Sequence, residues 1–142
     1  MRHDDSLLSF DVPRDWLDKS EVRYEMPVRP GEEGSSGRAV LVRDLLADSE
    51  DLGAFVERRM RSVAEVAEGF VLRGVTSTPV GVRPAIETCH ATVEAGVPWE
   101  HRGLHVQVAE RRVAILTLSA ARTELAHLEP LFERMLASAS AG

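Results

Sequence analysis

The sequence predicts an α+β domain, an antiparallel sheet of about six to seven strands carrying two helices in the order β-β-β-α-β-β-β-β-α. Three observations carry that expectation. Across residues 70–120, four runs rich in β-branched and apolar residues are separated by the turns Gly81-Val82-Arg83-Pro84, Ala95-Gly96-Val97-Pro98 and Glu110-Arg111-Arg112. No gap between the runs is long enough for a crossover helix, so they should pair as an antiparallel meander. Two other stretches, one from about Ser49 and one ending near Ser138, repeat apolar residues at three- and four-residue steps, the period of a helix.

Taken in order, residues 7–12 alternate, with Leu8, Phe10 and Val12 on one face, and Pro13 ends this first strand by removing a ladder donor. Trp16 sits in the following turn and is expected to fold back on the core. Residues 20–27 alternate again, Val22, Tyr24 and Met26 against Glu21, Arg23 and Glu25, and make a second strand. The glycine-, serine- and charge-rich residues 29–37 read as a long hairpin loop. Residues 38–46 form a third strand that is apolar on both faces, which suggests a central place in the sheet.

The first helix opens at Asp48 or Ser49, both good N-caps, with Glu50 and Asp51 placed where the helix dipole favours negative charge. Leu52, Phe55, Val56, Met60, Val63, Ala64 and Ala67 form its apolar stripe, and Gly69 is its stop. The meander follows, with strands near residues 70–75, 85–93, 99–109 and 113–118. In the last stretch Leu125, Leu128, Phe132, Met135 and Leu136 share one face, but a proline inside a helix costs about 3 kcal/mol. Pro130 therefore places the continuous helix from about Leu128, after a looser turn at Thr123.

The 142 residues, 44% of them hydrophobic, suit a single domain over residues 1–142. A net charge of −6 argues against a nucleic-acid partner, which needs a basic face. Cys89 is the only cysteine, so neither an intramolecular disulfide nor a thiolate metal cluster can form. The first residues lack the apolar core of a signal peptide, and no window approaches the length of a membrane span. A cytoplasmic protein without stable membrane insertion is the expectation.

Catalytic and metal constellations are sparse. His101 and His105 lie about 13 Å apart along one strand, too far to share a metal, although His90 could approach from a neighbouring strand. These histidines are expected on a half-exposed sheet face. Cys89 and His90 point to opposite faces and cannot form a nucleophile–base pair. No phosphate loop, nucleophile elbow or zinc-helix motif occurs, so neither an enzyme, a metal nor a cofactor is expected. Trp99, His101, His105 and Gln107 share one face of their strand, with Leu104, Val106 and Val108 on the other. Such an amphipathic surface suits a protein or peptide partner.

The segments Phe10-Asp11-Val12-Pro13-Arg14-Asp15-Trp16-Leu17-Asp18-Lys19-Ser20, Val40-Leu41-Val42-Arg43-Asp44, Leu52-Gly53-Ala54-Phe55-Val56, Gly69-Phe70-Val71-Leu72 and Gly81-Val82-Arg83-Pro84-Ala85-Ile86-Glu87 resemble the DcrB-like family over nearly the whole chain. The resemblance implies a single DcrB-like domain with the PsbP-like fold. Without a signal peptide or lipobox cysteine, the chain looks like the cytoplasmic branch, the Eag chaperones of type VI secretion. Members of that group are dimers that hold the hydrophobic N-terminal transmembrane region of PAAR- or Rhs-containing effectors. The resemblance thus implies a homodimeric chaperone or adaptor. Its partner-binding surface is expected at Val22, Tyr24, Met26, Leu41, Arg43, His105 and Gln107, assigned to one face by parity. The alternatives are a small-molecule-binding domain with a pocket between helix and sheet, or a structural interaction module.

Overall fold

The computed structural model of the chain describes residues 2–4, 8–13, 15–20, 23–28, 30 and 34–140. Its elements are β1 (Arg2–Asp4), β2 (Ser9–Asp11), β3 (Leu17–Ser20), β4 (Arg23–Glu25), β5 (Gly37–Leu45), α1 (Leu52–Val66), β6 (Glu68–Ser77), β7 (Ala85–Glu94), β8 (Val97–Ala109), β9 (Arg112–Ala121) and α2 (Leu125–Ala137). The fold is α+β, as expected. Seven strands form one antiparallel sheet in the order β3-β4-β5-β9-β8-β7-β6. The meander β6 to β9 forms as its turns dictate. At the β7–β8 hairpin, Ala95 and Gly96 both take positive φ, 49° and 79°, the geometry of the primed turns whose twist matches that of paired strands.

β5 pairs with β9 along its whole length, from Gly37 opposite Ala120 to Leu45 opposite Arg112, which places it inside the sheet. The second expected strand, residues 20–27, forms over Arg23–Glu25 as β4, and β3 pairs with it antiparallel from the preceding residues; Val22 lies outside the described residues. The first expected strand does not join the sheet. β2 pairs with β1 in a separate two-stranded sheet, and Ser9 exchanges two backbone hydrogen bonds with Ser140, both 2.9 Å. Leu8, Phe10 and Val12 are buried there against α2 and Tyr24, which gives the N-terminal segment its apolar contacts without any place in the ladder.

Both helices start away from their expected positions. Asp51, not Asp48 or Ser49, caps α1: its Oδ1 accepts from the Ala54 N–H at 2.7 Å. The preceding residues 47–50 close a turn of their own, with Glu50 N–H donating to Ala47 O and Ala47 N–H to Glu50 Oε1. Asp51→Ala should therefore lower stability by about 1 kcal/mol in urea unfolding, whereas Asp48→Ala should change it by less than about 0.5 kcal/mol. α2 begins at Leu125 and carries Pro130 inside it. The helix tolerates the lost hydrogen bond because Leu128, Phe132 and Met135 are buried on either side of the proline.

The decisive feature is that the two helices take opposite faces of the sheet. Ala39, Leu41, Leu104, Val106, Leu116 and Leu118 point to α2, and Phe132 meets Trp16 edge-on at 6.5 Å in that layer. Val113 and Ile115 point the other way and are covered by Leu52, Phe55, Val56 and Met60 of α1. Strand β9 is apolar on both faces for this reason: each face has its own cover, whereas β5 is covered on the α2 face and its Val42, on the other, is 39% exposed. No helix among the described residues is long and apolar enough to cross a membrane.

Candidate functional site

The seven residues expected to form one surface are divided by this architecture. Tyr24, Met26 and Leu41 are buried in the α2 layer. Arg43 follows Leu41 at the same parity and is exposed near the end of β5. His105 and Gln107 lie on the opposite face, His105 fully buried and Gln107 half-buried with its Nε2 donating to Glu110 O at 3.0 Å. Val22 is outside the described residues. Alternation along each strand is preserved, but parity within a strand does not say which helix the face will meet, so the expected common face does not exist.

An open apolar site does occur, at the far edge of the meander. α1 turns at Ala67 almost directly into β6, leaving a hollow of ≈ 280 Å³ between the outer flank of the helix and the last strand. Val56, Met60 and Ala64 form the helix wall, Phe70, Leu72, Val75 and Ile86 the floor, and Glu57 and Arg61 the rim. Leu72 and Val75 are 44% and 53% exposed. Three residues apart, they would point to opposite faces of a regular strand. A register shift between Leu72 and Gly74 pairs Leu72 with His90 and Val75 with Thr88, which places both on the α1 face. Gly74 inside a strand run was the sequence signal for that bulge.

Next to the groove, the same face carries a layer of buried imidazoles. His90 and His101 sit opposite each other in the β7–β8 register and stack at 4.6 Å. Phe70 extends the stack from His90 at 5.5 Å and Trp99 from His101 at 6.5 Å. Arg38 lies 4.4 Å over the Trp99 ring while its guanidinium forks onto both carboxylate oxygens of Glu94, at 2.6 and 3.1 Å. His101 is held from both sides, Nε2 by Thr92 Oγ1 at 2.7 Å and Nδ1 by Ser119 Oγ at 2.6 Å. His105 Nδ1 donates to Ile86 O at 3.1 Å, since a carbonyl can only accept.

The half-exposed histidines of the sequence reading are therefore corrected: His90, His101 and His105 are 7%, 6% and 0% exposed. Burial pushes His101 and His105 down to about 4, with His90 adding to the shift at His101 and Arg59 to that at His105. Burial, then Arg59, also lowers His90. Neutral imidazoles packed this way serve as polar core; the hydroxyls of Thr92 and Ser119 satisfy His101, while His90 Nδ1 and His105 Nε2 are buried without a partner among the described residues. Among the described residues no group of three histidine, cysteine or acidic side chains converges as metal ligands would. Cys89 is half-buried, and burial raises its thiol pKa, the setting of an unreactive cysteine.

No protein-family model matches this sequence, and no curated protein matches it. Solved structures do. LpqN, involved in cell envelope biogenesis of Mycobacterium tuberculosis, superposes with a TM-score of 0.73 at 15% identity, covering 97% of this chain and 86% of its own. Cyanobacterial PsbP from Synechocystis gives 0.73 at 12% identity, covering 100% and 92%. The Ran-binding protein Mog1p of Saccharomyces cerevisiae gives 0.65 at 9% identity, covering 95% and 90%. The chain thus has the PsbP-like fold, and at such identities the likeness extends to the fold alone.

Proposed function

We propose that the chain is a non-catalytic binding module that holds an apolar segment of another protein in the groove between α1 and β6. The observation that carries this reading is the row Leu72 and Val75, left half-exposed beside an apolar helix wall on the last strand of the sheet. Contiguous apolar surface of this kind on a folded domain marks an interaction site. A fold-mate named for binding Ran, Mog1p, is in keeping with a protein partner.

The partner class comes from the resemblance to the DcrB-like family and its Eag branch. In this reading the chain is a cytoplasmic, homodimeric chaperone or adaptor, and its client is the hydrophobic N-terminal transmembrane region of a type VI secretion PAAR or Rhs effector. Such a segment in water exposes more apolar surface than a soluble chain tolerates and must be covered until it is delivered. Co-expression with the N-terminal segment of an effector encoded beside this chain should give a stable complex. Leu72→Asp together with Val75→Asp should abolish retention while changing the unfolding free energy by less than about 1 kcal/mol, because both side chains already reach solvent. Failure of the unaltered protein to retain any such segment would sink the effector assignment.

A further inference from the structure

β6 is the last strand of the sheet, so the backbone groups along its outer side have no partner among the described residues. Resting on the groove reading, we propose that the bound segment is extended and adds an eighth strand to the β6 edge. The distribution of exposed apolar side chains selects this mode. Leu72 and Val75 emerge on the α1 face, but Val71, paired with Ala91, emerges on the other face of the same edge and is 50% exposed. A helix lying in the groove would cover Leu72 and Val75 and leave Val71 in water. A strand alternates its side chains and covers both faces at once, while its backbone takes up the free N–H and C=O groups of β6.

The edge itself is open to such pairing. Exposed edges are ordinarily guarded by lysine, proline or a covering loop, and β6 has neither lysine nor proline. Its central charge, Arg73, is held by Glu100 at 2.7 Å. Gly74 has nothing within 4 Å of the place a Cβ would occupy, so another backbone can approach closely there. The two register shifts are extra residues in β6 itself, between Glu68 and Val71 and between Leu72 and Gly74; they raise its local twist and leave its outer side uncovered. On the rim, Arg61 makes no ion pair with any described residue. The matching segment is apolar on both of its faces, as the client of the groove is, and carries a carboxylate that reaches Arg61.

The test is amide hydrogen exchange on the full chain, with a synthetic valine-rich peptide of about ten residues, apolar on both faces and ending in glutamate, as the probe. The peptide should slow exchange of the β6 amides that point away from β7 between residues 71 and 77 by at least about tenfold. An analogue N-methylated at every second residue, with the same side chains but without the pairing N–H groups, should give no protection. Val71→Lys, on the face away from the groove, should weaken binding by about tenfold with an unchanged melting temperature. No protection, equal protection by the methylated analogue, or an unaffected Val71→Lys variant would each overturn strand addition. A helical apolar peptide that occupies the groove with unchanged β6 exchange would overturn it too and leave the groove reading standing. Protection by the peptide without retention of any effector segment would uphold strand addition and remove only the effector assignment.

Discussion

Lowering the pH from 7 to 5 should destabilise this protein by several kcal/mol. The cause is the imidazole layer. His101 and His105 fall from an ordinary 6.5 to about 4 in the folded chain, and His90 is shifted the same way. The unfolded chain therefore binds more protons than the folded one across this window. The stability is fully present above 6.5 and is lost as pH falls through 6.5 towards 4. At 1.36 kcal/mol per pKa unit, His101 and His105 each lose about 2 kcal/mol by pH 5 and about 3 kcal/mol by pH 4, a large part of the 5–15 kcal/mol typical of a domain.

Glu50 and Glu94 cannot account for a loss in that range. Glu50, held at about 2 by Arg58, and Glu94, lowered by Arg38, release their contributions only below the ordinary 4.5. Urea unfolding at pH 7, 6 and 5 checks the result, and His105→Gln should reduce the slope. An unfolding free energy that stays level between pH 7 and 5 would refute it.

Phe132→Ala should cost about 3–5 kcal/mol, the range for emptying a buried aromatic site. Phe132 is fully buried, and it joins α2 to the sheet and to Trp16 in the N-terminal segment. Its loss removes contacts from the core that these three parts of the chain share. Neighbours can close the cavity only by moving α2, which Pro130 has already deprived of one hydrogen bond. Val66→Ala is the control, since Val66 is 86% exposed and should change stability by less than about 0.5 kcal/mol. Guanidinium unfolding of both variants decides the matter. A Phe132→Ala loss below about 1.5 kcal/mol would show that α2 is not anchored through this ring.

Much of the fold was legible because its signals are local. The hairpin at Ala95 and Gly96, the alternation of Leu104, Val106 and Val108, and the two-faced apolar runs of β5 and β9 each follow from neighbours a few residues away. The N-cap was missed by two or three residues because Asp48, Ser49 and Asp51 are all capable, and the turn at residues 47–50 chose among them. The binding surface was the least legible part. Tyr24, Met26 and Leu41 have the composition of an apolar contact surface, and only the docking of α2 turns them into core. Leu72 and Val75 differ in parity, and only the bulge beside Gly74 aligns them.

By itself, then, the order of residues determined a meander of four antiparallel strands, a β5 inside the sheet and two amphipathic helices. Periodicity and turn chemistry act over a handful of residues and need nothing distant to be expressed. The tertiary structure alone decided that the helices cover opposite faces. It thereby buried the three histidines and left the β6 edge with its apolar row in solvent. An amphipathic helix specifies that it must cover an apolar surface; which of two such surfaces it covers depends on where the chain enters and leaves it. α1 leaves β5 and runs straight into β6 on one side, and α2 leaves β9 on the other.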